Sequence, residues 1–127
     1  MTAPAALDEQ VRLAARALAS AGLVHAFGHC SARLDAGRFL VCAPLPMGRI
    51  AKEPGTVVPI DGPLPEGVLG EVRVHREIYR RRADAGGICR IMPPALMALS
   101  VAGIVPVPRH GIGAYFSWKL PKGTKVI

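Results

Sequence analysis

The chain has 127 residues, half of them hydrophobic and 20% charged, which fits one globular domain and excludes a disordered tail. Its net charge of +7 suits an anionic partner, but the basic residues are scattered apart from the run Arg80–Arg82, and the few aromatics do not interleave with them. A stacking platform for nucleic acid is therefore not expected, whereas a small phosphorylated or carboxylated molecule fits the charge. No apolar run is long enough for a membrane span, and MTAPAALDEQ lacks the basic flank and apolar core of a secretory signal. Cys30, Cys42 and Cys89 are widely spaced with no CxxC, which points to reduced thiols in the cytoplasm.

Residues 5–21 predict a helix: Leu7, Val11, Ala14, Ala15 and Leu18 recur on one face, and Gly22 is placed to end it. Residues 29–34 alternate as a strand, Asp35-Ala36-Gly37 signals a turn, and residues 38–43 predict the second arm of a hairpin. Pro44, Pro46 and Gly48 mark a loop, and residues 56–60 a third short strand. Residues 70–82 predict a second helix, with Val72, His75, Ile78 and Tyr79 on one face. Residues 88–92 read as a buried strand, and Pro93-Pro94 opens a third helix through Ala102, since proline at a first helical turn removes no needed donor. Residues 105–107 and 112–116 predict further strands. The order predicts an α/β layered protein with a mostly antiparallel sheet flanked by helices.

Four groupings carry chemistry. Gly28-His29-Cys30-Ser31 fits an anion-binding turn or, equally, a tight turn whose glycine takes a positive φ. Glu71 and His75 lie four apart on one helix face, suiting a general acid/base pair or two metal ligands; a capping glutamate and a half-buried histidine would give the same spacing. Arg90 sits in an apolar run, where an unpaired charge is costly, so it reaches solvent or holds a carboxylate or phosphate. Arg109-His110-Gly111 sets a histidine near a glycine, a placement that is ordinarily structural. No nucleotide loop, GxSxG or HExxH is present.

The ordered set of segments resembles the class II aldolase/adducin family. The resemblance rests on Phe27-Gly28-His29-Cys30-Ser31-Ala32-Arg33-Leu34, on Glu71-x-x-x-His75-x-x-Ile78-Tyr79, on Pro94 through Ser100 and on Arg109-His110-Gly111, and spans residues 7–117. It implies a single domain of that fold over residues 1–127, with the family pattern running out after about residue 117, and a homo-oligomer. It also implies a lyase with a three-histidine zinc or similar metal centre, two histidines coming from an H-x-H strand, and a glutamate that moves the proton. Glu71 stands at that glutamate. Arg90 and Met92 stand at the two histidines, and Leu69 and Gly70 at the two serines that precede the glutamate in sugar-phosphate aldolases. Arginine stays protonated and methionine is a soft ligand, so no metal or other cofactor is expected.

The expectation is a degraded metal site. A small carboxylate or phosphate ligand would be held by Gly28, His29, Ser31, Arg90 and His110, with Glu71 and His75 as candidate acid/base residues. Two alternatives remain: a working aldehyde-lyase or decarboxylase holding a divalent metal on His75, His110 and Glu71, and a non-enzymatic oligomeric scaffold.

Overall fold

The computed structural model describes residues 2–106, which fall into two compact units meeting in sequence at Met92 and Pro93. The first unit begins with helix α1 (Ala5–Ser20). Gly22 ends it as its position predicts: φ is +71°, and the Leu23 N–H reaches back to the Leu18 carbonyl at 3.1 Å, closing a Schellman turn.

Strands β1 (His29–Arg33) and β2 (Arg38–Val41) form the expected hairpin. In its turn the Gly37 N–H donates to the Asp35 carboxylate at 2.9 Å. The loop that follows contains a short 3-10 turn, Met47–Arg49, where the Pro and Gly content predicts only irregular chain. Met47 and Ile50 from this segment are fully buried. Strand β3 (Thr56–Pro59) then pairs with β2.

The predicted second helix has two parts, a 3-10 turn over Gly70–Val72 and helix α2 over Arg73–Arg81. The Arg33 guanidinium closes its C-terminal end, donating to the carbonyls of Tyr79, Arg82 and Ala85 at 2.8–3.0 Å. Strand β4 (Gly87–Arg90) pairs with the free side of β1, giving an antiparallel sheet in the order β3-β2-β1-β4. The expectation of a buried strand over residues 88–92 is corrected here. Among the described residues β4 is the edge strand, with Gly87 and Cys89 exposed and Ile88 and Arg90 half-buried, because there β1 alone flanks it. Met92 has left the ladder, and its N–H donates to the Leu23 carbonyl at 3.0 Å.

Alternation along the strands divides the unit into two layers. Cys30, Leu40 and Cys42 face α1, packing with Val11, Ala15, Met47 and Ile50. Phe39, Val41 and Val58 face the other way, with Ile60 and with Val72 and Tyr79 from the α2 segment.

The second unit contains helix α3 (Pro94–Val101), which starts at the predicted proline. Val105 and Pro106 are not in a strand; Val107, the predicted strand over residues 112–116 and His110 lie outside the described residues.

Candidate functional site

His29, Ser31 and Arg33 alternate on β1, so all three project toward α2, where His75 and Tyr79 lie one turn apart and point down onto the sheet. Together they form a continuous chain of contacts. His29 Nε2 lies 3.4 Å from Glu71 Oε2, and His29 Nδ1 lies 2.7 Å from His75 Nε2. His75 Nδ1 lies 2.6 Å from Ser31 Oγ, which lies 2.9 Å from the Tyr79 hydroxyl.

An ionised Glu71 fixes every proton along this chain, because a carboxylate only accepts. His29 must donate from Nε2, leaving Nδ1 to accept from His75 Nε2–H. The bare His75 Nδ1 then accepts from Ser31, whose oxygen accepts from Tyr79. Each neutral imidazole carries one proton, and every donor points toward Glu71.

The electrostatics agree with neutral rings. His75 is fully buried, and its pKa falls to about 4 through desolvation first, then through the nearby His29 and Arg90. Burial also lowers His29 and outweighs the opposing hydrogen bond to Glu71. Burial raises Tyr79, although Ser31 and Arg33 favour its ionised form; the Arg33 guanidinium lies over its ring at 4.7 Å.

At the outer end, Arg90 Nη1 comes within 3.7 Å of Glu71 Oε2, the same oxygen that His29 approaches. Both separations exceed the 2.7–2.9 Å of a good charge-assisted hydrogen bond. Arg90 Nη1 is buried with no hydrogen-bond partner among the described residues, while the Arg90 side chain as a whole is 35% exposed and the Glu71 side chain 56%. Two buried donors therefore share one loosely held carboxylate.

Gly28 sets the approach of β1 to this point. Its φ is +147°, and a Cβ there would lie 2.3 Å from Val24 Cγ2 and 2.9 Å from the Arg90 carbonyl oxygen. Glycine is needed for the backbone and for close packing on β4. A small cleft opens beside it, with His29 and Leu69 in its lining.

The sequence-derived residues His29, Ser31, Glu71, His75 and Arg90 thus converge. Glu71 and His75 do not pair directly, as their helical spacing suggests; His29 bridges them because Glu71 sits in the 3-10 turn and the ring arrives from β1. Tyr79 is an addition to the expected site residues, since its spacing marks it only as core. Its place four residues after His75, on the same buried face, is the signal that it belongs.

Among the described residues, those present do not fit a three-histidine metal centre. Arg90, at the position that the resemblance gives to one ligand histidine, is a permanent cation, and Met92 lies off the strand. His75 has both ring nitrogens engaged within the buried layer, whereas His29 has Nδ1 engaged there and Nε2 3.4 Å from the exposed Glu71 carboxylate. Among the described residues no group of three or more His, Cys, Asp or Glu is arranged to hold a metal.

No curated protein matches this chain. Among solved structures, L-fuculose-1-phosphate aldolase from Thermus thermophilus is 34% identical, with a TM-score of 0.66 over 76% of this chain and 51% of that one. YgbL from Klebsiella pneumoniae is 24% identical, with a TM-score of 0.66 over 79% and 50%. L-fuculose 1-phosphate aldolase from Glaciozyma antarctica is 22% identical, with a TM-score of 0.66 over 80% and 45%. The chain spans about half the length of these proteins, and the latter two show the fold alone. The family described as the class II aldolase and adducin N-terminal domain matches residues 9–122, so the antiparallel sheet, the Glu71 turn and the His75 helix are those of a chain that belongs to the class II aldolase/adducin family.

Proposed function

We propose that this domain binds a small carboxylate- or phosphate-bearing molecule at Arg90 and does not carry out metal-dependent aldol cleavage. One observation carries the reading: Arg90 Nη1 is buried without a hydrogen-bond partner among the described residues, beside a carboxylate too distant to satisfy it. A buried guanidinium N–H without a hydrogen bond is costly even beside a carboxylate at ion-pair distance, and a ligand anion at hydrogen-bond distance removes that cost. Arg90 then supplies fixed positive charge where relatives with the H-x-H strand place a metal. Glu71, half-exposed and held by His29, is the group positioned to accept or return a proton on such a ligand. His75 acts only through His29, and Gly28 and Ser31 position the imidazoles. His110 remains a proposed ligand contact. Similarity to the Thermus thermophilus enzyme, named for a sugar phosphate, supports a small polar metabolite as the ligand class.

The test is a thermal-shift titration of wild type and Arg90→Ala with acetate and with inorganic phosphate. Ligand at 100 times its Kd stabilises a protein by about 2.7 kcal/mol, which is readily seen as a rise in Tm. Wild type should respond to at least one anion and the variant to neither, while remaining folded. Equal responses, or none in wild type, overturn the reading. Tightly held zinc, manganese, iron or cobalt near one per chain, measured by elemental mass spectrometry before and after chelation, would instead favour the lyase reading. The engaged nitrogens of His75 count against that reading.

A second reading, an oligomeric scaffold, has its own observation. Helix α3 has no buried residue, and Leu96, Met97 and Val101 are 42%, 48% and 89% exposed. Apolar surface of this kind favours self-association. A scaffold without a ligand predicts no response to anions and a Tm that rises with protein concentration.

A further inference from the structure

We infer that Cys89 and Cys30 form a thiol–disulfide exchange site, at which Cys89 takes a low-molecular-weight disulfide and Cys30 resolves it into a bond between β1 and β4. The inference is independent of the anion-binding reading. All three cysteines are free thiols, and the site described above uses none of them.

The sheet register selects the pair. Cys30 on β1 lies directly opposite Cys89 on β4. The Arg33 N–H donates to the Gly86 carbonyl at 2.8 Å, so these two residues form a hydrogen-bonded pair of the antiparallel ladder. Such pairs alternate with non-hydrogen-bonded ones, and three steps back along the register make Cys30 and Cys89 a non-hydrogen-bonded pair. The other side of β1 agrees: the Cys42 N–H donates to the Cys30 carbonyl at 3.0 Å, so the Cys30 backbone points at β2 and away from β4. In a non-hydrogen-bonded pair the Cα atoms are about 4.5 Å apart and the side chains are at their closest, within the span of about 4.4–6.8 Å that a disulfide bridges. Cys42 forms the wider, hydrogen-bonded kind of pair with Cys30, and its sulfur accepts from the Cys30 N–H at 3.4 Å.

Access divides the two roles. The pleat puts Cys89 on the same face as Cys30, toward α1. That helix packs on β1 and β2, leaving Cys89 exposed while Cys30 is buried. A reagent in solution therefore meets Cys89 first. Partial burial pushes the Cys89 thiol up and Cys42 adds to this, so its thiolate is scarce at neutral pH and exchange quickens as pH rises. Cys42 and burial push Cys30 up as well, so the second step depends on the proximity that the register supplies.

In the first step the Cys89 thiolate attacks one sulfur of a disulfide RSSR, forming Cys89–S–S–R and releasing RS⁻. In the second, the Cys30 sulfur loses its proton and attacks the Cys89 sulfur, releasing the other RS⁻. The two thiol protons end on the two leaving thiolates. Two protein thiols and RSSR thus become one protein disulfide and two RSH, with no other reactant. The product ties β4, which β1 alone flanks among the described residues, to an inner strand one position from Arg90.

The experiment incubates the native chain with oxidised glutathione at pH 7 and pH 8.5, quenches with acid and maps the cysteines by peptide mass spectrometry. Wild type should show a Cys30–Cys89 link, a free Cys42 and no retained glutathione. The link should form about thirtyfold faster at pH 8.5, following the thiolate fraction of a thiol that titrates above this range. It should raise Tm by about 10 °C, because it closes a long loop. Cys89→Ser, at an exposed position where the fold tolerates it, should form no link and take up no glutathione, and Cys30→Ala should stop with glutathione on Cys89. Glutathione that stays on Cys89 in wild type, a Cys30–Cys42 link, a Cys89–Cys89 link between chains, or no reaction until urea unfolds the chain would each overturn the inference.

Discussion

The two faces of one sheet are built by opposite rules. Toward α1, the strands present Cys30, Leu40 and Cys42 to an apolar layer, where the Cys30 thiol, 3.5 Å from the Val11 carbonyl, is a weak donor. Even the cysteines obey the alternation: Cys89 pairs with Cys30 across β1–β4, and the hairpin register carries Cys42 to the other side of Cys30. Toward α2, the neighbouring residues His29 and Ser31 join His75 and Tyr79 in a hydrogen-bonded chain with Phe39 packed against it. Shape governs the first layer, whereas proton placement governs the second. A residue's cost of change thus depends on its parity along the strand.

The sharpest way to break this comparison is to empty one position on each face. His75→Ala removes a buried ring and leaves His29 Nδ1 and Ser31 Oγ without their partner. It should cost about 4 kcal/mol, a cavity plus unsatisfied polar groups. Leu40→Ala, equally buried on the α1 face, should cost about 3 kcal/mol, from transfer and cavity alone. Urea unfolding of both measures the difference; a His75→Ala cost no greater than that of Leu40→Ala would mean the polar chain adds nothing beyond its volume.

Acid should separate the layers next. The folded state protonates His75 only near pH 4, whereas the unfolded chain does so near 6.5. Between these values the unfolded state binds more protons, so stability falls as pH falls, by about 3 kcal/mol in total. The lowered pKa of His29 acts in the same direction. Unfolding midpoints measured from pH 7 to 4 should show this slope in wild type and in Leu40→Ala, and a flatter one in His75→Gln.

The smallest effect expected is at the end of α2. Arg33→Met removes three hydrogen bonds to the carbonyls of Tyr79, Arg82 and Ala85 while keeping the alkyl stem. A loss of about 2 kcal/mol in denaturant unfolding would identify Arg33 as the clamp of helix on sheet, and a loss under about 0.5 kcal/mol would assign those carbonyls to water.

Much of this architecture is legible in the residues where the signal is local. Leu7, Val11, Ala15 and Leu18 recur every three to four residues, and Gly22 ends their helix; Asp35 to Gly37 turns the hairpin. The burial of the strand over residues 88–92 is not legible, because an apolar run does not show which of its sides is paired. Met47–Arg49 is hidden because proline and glycine mark loops and short turns alike. Within the site, Glu71, His75, His29, Ser31 and Arg90 are each visible as residues. Their connection is not: helical spacing pairs Glu71 with His75, and the contact is made instead by a ring 42 positions before Glu71.

By itself, then, the sequence determined the first helix, the hairpin and the proline that opens the third helix, because periodicity and turn chemistry are local properties. The tertiary structure alone decided that His29 lies between Glu71 and His75, that Tyr79 completes the chain and that Arg90 Nη1 is buried with no hydrogen bond among the described residues. Those facts depend on strand order and on where α2 rests on the sheet. Both are set by long-range packing of β4 and α2 that no stretch of neighbouring residues encodes.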